Sequence, residues 1–156
     1  MKVDYHHTFG LPRKMVWKYI KDEKVLGNAI PNCKTLVQSS NGVYLAQIDV
    51  QFGPIKDVFE LEVRVEKEKT PSYFHLSLRG KGTLGEFSGT VDAFLNDHQG
   101  SCKLQIIADV EVTGALAGAA QRVINGGANK GIEKFFLNLE IEMKRSLYIS
   151  RKGRKA

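Results

Sequence analysis

Between Val43 and Val112 apolar residues recur mainly at every second position, and the chain then changes period to a helical stretch rich in Ala and Gly. Alternation of this kind builds strands with one buried face, whereas Leu116, Ala120, Val123 and Gly127 share one face of a helix. A chain written this way makes a sheet first and lays a helix across it. Small residues on the early part of that helix leave room between the two layers.

The inward set follows from parity. Tyr44, Ala46, Ile48, Val50 and Phe52 share a strand face, as do Phe59, Leu61, Val63 and Val65 on the next strand. Phe74, Leu76 and Leu78 continue it, then Phe87, Gly89, Val91, Ala93 and Leu95, then Cys102, Leu104, Ile106, Ala108, Val110 and Val112. None of these is a carboxylate, Lys or His. The opposite parity carries Gln47, Asp49, Glu60, Glu62, Arg64, His75, Arg79, Asp92, Lys103 and Glu111, so the sheet is antiparallel with one wet face.

Ahead of this region, Val3, Tyr5, His7 and Phe9 alternate with polar residues and give a first strand. Leu11 to Ile20 reads as a short helix with Pro12 in its first turn, and Asp22 caps a second one through Val25, Leu26 and Ala29. Asn41-Gly42, Gly53-Pro54, Thr70-Pro71-Ser72 and the stretch Asn96 to Gly100 punctuate the strands. The expected order is strand, two short helices, six strands and a long helix. In that helix Ala128, Ile132, Phe135, Leu139 and Met143 form a second stripe, rotated from the first by about a third of a turn. Asn125-Gly126-Gly127 is the expected bend, with Phe135 and Phe136 sealing one end of the space.

A chain of 156 residues is one domain, expected over residues 1–148, with a disordered basic tail at 149–156. Cys33 and Cys102 lack metal or redox spacing and read as reduced structural thiols of a cytoplasmic protein. No signal peptide and no membrane span is expected. Net charge is +6, yet residues 144–156 hold six basic residues and no acid, which leaves a body with 17 of each sign. Lys144, Arg145, Arg151, Lys152, Arg154 and Lys155 therefore belong either to a solvated terminus or to a polybasic contact with anionic lipid. Nucleic acid is disfavoured, because no strand face is both basic and aromatic.

Candidate chemistry is sparse. Gly80-Lys81-Gly82-Thr83-Leu84-Gly85 matches G-x-G-x-x-G, but an alternating strand follows where a dinucleotide fingerprint needs a helix, so these glycines are expected to bend or bulge strands. His6, His7, His75 and His98 have no supporting partner in the sequence, and His6 and His7 point to opposite faces. Ser88, Thr90, Ser101 and Thr113 lack an inward base. No catalytic residue, metal site or cofactor is expected.

Leu11-Pro12 through Val16-Trp17 and Asp22, Ala29-Ile30-Pro31-Asn32-Cys33, Phe52-Gly53-Pro54-Ile55-Lys56 and Asp109 through Ala117 stand in an order and spacing that resemble the carbon monoxide dehydrogenase G-subunit (CoxG) family. That family lies within the START/Bet v 1-like (SRPBCC) superfamily. The resemblance spans roughly Phe9 to Leu139. It implies an α+β helix-grip fold: a curved antiparallel sheet of about seven strands wrapped on a long C-terminal helix, enclosing an apolar cavity. It further implies a carrier or binder of lipidic or quinone-type molecules, with a link to membrane recruitment of a molybdenum-containing partner enzyme. Asn32 stands where the family usually has Gly, and Asn is the residue that next best tolerates positive φ. The long membrane-associating tail of many family members is not matched here, so attachment would rest on the basic tail.

The leading expectation is a non-catalytic protein that binds a hydrophobic lipid, fatty acid or quinone-like ligand between sheet and helix. Side-chain size and parity nominate Tyr44, Ile48, Phe52, Phe59, Leu61 and Leu76 as ligand contacts. Phe87, Val91, Leu104, Ile106, Leu116, Ala120, Val123 and Gly127 complete the set. Two alternatives stand beside it. One is a cyclase- or hydrolase-like enzyme using His7, Tyr44 and Tyr5; the other is a module that docks a partner or a membrane without a ligand.

Overall fold

Hydrogen bonding follows the alternation. Seven strands form one antiparallel sheet: β1 (Lys2–Phe9), β2 (Cys33–Ser40), β3 (Val43–Phe52), β4 (Ile55–Lys69), β5 (Tyr73–Gly82), β6 (Gly85–His98) and β7 (Ser101–Val112). Their spatial order is β1-β7-β6-β5-β4-β3-β2, so each of β2 to β7 pairs with its neighbours in sequence and β1 returns to β7. Helices α1 (Arg13–Ile20), α2 (Glu23–Ala29) and α3 (Asn129–Arg154) pack with the sheet, and the described residues 115–118 are also helical. The computed structural model describes residues 1–52, 54–118, 121 and 129–154. This is the helix-grip arrangement, an α+β fold in which α3 crosses the sheet and α1–α2 bridge its two edges.

Local chemistry explains the boundaries. The Pro12 carbonyl accepts from the N–H groups of Met15 and Val16, which puts Pro12 at the N-cap of α1, one position before the first helical residue. The Asp22 carboxylate accepts from Lys24 N and Val25 N at 2.9 and 3.0 Å and starts α2. Asn32 has φ 59°, the positive angle its place in the turn demands. Gln99 and Gly100 alone make the β6–β7 turn, with φ of 50° and 85°, because the strands pair out to His98 and Ser101. The expected loop there is five residues long, and pairing converts three of them to strand.

The glycine-rich run is a β-hairpin. Gly82 and Gly85 pair across Thr83-Leu84, and Gly80 lies opposite Phe87, where an added Cβ would come within 2.1 Å of the ring. Asp57 of β4 ties the turn down. Its carboxylate accepts from Thr83 Oγ1 at 2.9 Å and from Leu84 N at 3.0 Å. The Leu84 bond, outweighing desolvation, is the main reason its pKa is held below the usual carboxylate value. A depressed folded pKa contributes stability above the unfolded carboxyl range and loses it as pH falls through the folded value. Asp57→Asn is thus expected to lower Tm near neutral pH and to leave it almost unchanged in strong acid. A Tm difference of constant size across that range would contradict this.

The core lies between α1, α2, α3 and one end of the sheet. Phe9, Val16, Val25, Leu95, Cys102, Leu104, Leu139 and Met143 are fully buried there. Each such aliphatic side chain contributes about 1.5–3 kcal/mol by leaving water. Cys33 and Cys102 are free thiols, and burial pushes the Cys102 thiol up to about 11. α3 runs through Arg154, so residues 149–154 stand on helical backbone where composition suggested a disordered tail. The expected bend at Asn125 to Gly127 lies outside the described residues.

Candidate functional site

Facing the concave side of the sheet, the helices leave a cavity of about 250 Å³. Its floor comes from β3 to β7 and its lid from Phe135, Phe136 and Leu139 of α3. Leu36 on edge strand β2 and Ile20, Leu26 and Ile30 along the α1–α2 segment close the side. Strand pleating aims one parity inward, so the wall is almost entirely carbon. Among the described residues, polar side chains enter the lining only at Lys21 and Tyr44, and both are engaged. Tyr44 Oη donates to the Lys21 carbonyl at 2.6 Å, while Lys21 Nζ pairs with Glu68 at 3.0 Å and lies 4.4 Å from the centre of the Trp17 ring. Burial, followed by the nearby charges of Glu68, Asp22 and Glu23, raises the Tyr44 pKa above its ordinary value.

The nominated residues divide by position. Tyr44, Leu61, Leu76, Val91, Leu104 and Ile106 meet on the wall of this cavity. Ile48, Phe59, Phe87 and Leu116 do not line it. Phe59 and Phe87 pack on each other, ring centres 5.7 Å apart, toward the Asp57 end of the sheet. Leu116 is buried beside that same hairpin, its N–H donating to the Leu84 carbonyl. Parity alone cannot tell the two ends of a long strand apart. Ala120, Val123, Gly127 and the side chain of Phe52 lie outside the described residues.

Other wall residues were within reach of the same reasoning. Ala46, Val63, Val65, Phe74, Leu78 and Ala93 share the inward parity and line the cavity. Ile20, Leu26, Ile30 and Leu36 carry a weaker signal. The i, i+4 spacing of Val16 with Ile20 and of Leu26 with Ile30 marks an apolar helix face but not what it faces.

Two histidines have partners that the sequence conceals. His7 Nε2 lies 3.1 Å from Glu140 Oε1, a residue 133 positions away, and Lys144 Nζ donates to the other Glu140 oxygen at 2.9 Å. Burial pushes the Glu140 pKa up, but hydrogen bonds from Lys144 and His7 outweigh it and hold the carboxyl below its ordinary value. On the outer face of the sheet, His75 Nδ1 and Tyr73 Oη both meet Asp92 Oδ1, at 2.8 and 2.5 Å. Neither His7 nor Tyr5 lines the cavity, so the three side chains on which an enzymatic reading depends do not converge there. Among the described residues no cluster of His, Cys, Asp and Glu could hold a metal ion.

A seven-stranded sheet gripping a long C-terminal helix around an apolar cavity is the helix-grip fold of START/Bet v 1-like proteins. Within that class the chain belongs to the carbon monoxide dehydrogenase G-subunit (CoxG) family, whose profile matches residues 8–144. Among solved structures, a conserved protein from Geobacillus kaustophilus is similar with a TM-score of 0.85 at 22% identity, covering 94% of this chain and 97% of that one. The ZhuI aromatase/cyclase from Streptomyces sp. R1128 is similar with a TM-score of 0.66 at 13% identity, over 94% of this chain and 95% of its own. A protein from Thermus thermophilus, TTHA0849, gives 0.67 at 13% identity, over 94% and 99%. At these identities the likeness is one of fold. No curated protein matches the sequence.

Proposed function

We propose that this protein binds a hydrophobic small molecule, a lipid, fatty acid or quinone-like compound, in the cavity beneath α3 and carries it without catalysing a reaction. The carbon-lined wall is the observation that supports this reading. A cavity whose two described polar side chains are already engaged favours a hydrocarbon body and leaves little for recognising a polar one. Membership of the CoxG family supports an accessory role beside a carbon monoxide dehydrogenase-type molybdenum enzyme as the proposed partner.

The test is a chain-length series of alkanols and of alkyl-substituted benzoquinones, followed through Trp17 fluorescence. Trp17 suits this because its ring lies 6.0 Å from Phe74, a wall residue. Affinity is expected to rise about fourfold per added methylene until the cavity is full, since each buried methylene contributes about 0.8 kcal/mol. A response that never saturates, or an affinity that ignores chain length, would count against the reading.

A further inference from the structure

The cavity stops short of one end of the sheet, and an aromatic ring stands at the place. Rows crossing β4, β5 and β6 join Val65 to Leu76 and Val91, then Val63 to Leu78 and Gly89, then Leu61 to Gly80 and Phe87. The aliphatic side chains of the first two rows and Leu61 of the third line the cavity, while Phe87 does not. In that third row β5 offers no side chain, and the Phe87 ring lies over Gly80 instead, where an added Cβ would come within 2.1 Å of it. Further toward the same end the arrangement recurs from the other side: a Cβ at Gly82 would stand 3.0 Å from the Phe59 ring, and the two rings meet with centres 5.7 Å apart. Phe59 is buried and Phe87 half-buried. Asp57, through Thr83 and Leu84, ties down the hairpin that carries both glycines, so the rings rest on a fixed seat.

We propose that Phe87, backed by Phe59, is a specificity-determining residue that sets the longest hydrocarbon chain the cavity admits. The inference rests on the reading that the cavity holds a hydrophobic ligand, and it adds the size class: a chain that ends at the Leu61 row. Because Phe87 shares that row with a wall residue, the space its ring would vacate adjoins the cavity. A polar recognition role is the poorer assignment, since a benzyl side chain offers neither donor nor charge and only its volume can select.

The alkanol series tests it, run on the native protein and on Phe87→Ala, Phe87→Leu and Gly80→Ala. In the native protein affinity is expected to rise about fourfold per methylene up to a limiting length. Phe87→Ala is expected to raise that limit by about two methylenes or more, since one row is about 7 Å deep, so that alcohols just past the native limit bind about 15-fold more tightly than they do to the native protein. Phe87→Leu keeps more of the volume and is expected to raise the limit less. Melting curves identify folded variants, and the leucine variant carries the test where the alanine variant does not fold. Gly80→Ala is expected to lower Tm alone but not in the Phe87→Ala background, where its methyl has room. An unmoved limit in folded Phe87 variants, or one loss of affinity shared by every chain length, would overturn the proposal. So would additive effects of Gly80→Ala and Phe87→Ala, because the ring would then not rest on that glycine. Native protein that binds no alcohol, or binds all lengths alike, is a different result: it removes the cavity reading itself and this inference with it.

Discussion

Phe136→Ala is expected to remove about 3–5 kcal/mol of stability, the cost of emptying a buried aromatic site. Phe136 is 2% exposed and is the hub of an aromatic cluster. Its ring stacks on Tyr5 and on His7 at 5.5 and 5.7 Å, and meets Phe135 and Phe9 edge-on at 5.0 and 6.4 Å. These contacts join α3 to β1, and the same side chain closes the cavity above. A chain of this size loses about 2–4 °C of Tm per kcal/mol, so the melting point is expected to fall by roughly 6–20 °C. Phe136→Leu keeps most of the volume and is expected to cost less. Thermal and denaturant unfolding measure both; a loss below about 1 kcal/mol for the alanine variant would mean that the cluster does not hold α3 to the sheet.

Ala93→Phe is expected to abolish ligand binding, with a loss of at least about 30-fold for any ligand that fills the cavity. Ala93 is fully buried on β6, between Phe74 on β5 and Ile106 on β7 in the register, and all three side chains line the wall. A ring there occupies space that the native fold leaves open. Overpacking costs about 1–3 kcal/mol where a core is full, and an existing void reduces that cost. Ala46→Phe, from β3 on another side of the cavity, is an independent version of the same experiment. Binding that survives both substitutions in folded protein would place the ligand elsewhere.

Much of the fold was legible because the sheet is simple. A wet outer face makes parity informative: Phe74, Leu76, Leu78, Val91 and Ala93 were all placed inward by period alone, and all line the cavity. Asp22 and Asn32 announced the α2 cap and the following turn through chemistry that acts within a few residues. Position along a strand was not legible. Phe59 and Phe87 have the same parity as Leu61 and Val91 but sit toward the Asp57 hairpin, because register and curvature, which depend on the whole sheet, decide which part of a face the helices leave uncovered. Contacts between distant elements were equally hidden. The His7–Glu140 pair spans 133 residues, and nothing local in either sequence marks it. The basic C-terminal residues illustrate a third limit: composition reports their charge but not that they are helical.

The central claim is that a hydrophobic ligand occupies the space between sheet and α3. Its most direct measurement is an isotope-filtered nuclear Overhauser spectrum of the methyl-labelled protein with unlabelled decanol. The account predicts cross-peaks from the decanol chain to the methyl groups of Leu61, Val63, Leu76, Leu78 and Val91, all of them wall residues. Cross-peaks confined to exposed methyl groups such as those of Val37, Val58 or Ile107, or none at all at saturating decanol, would contradict it.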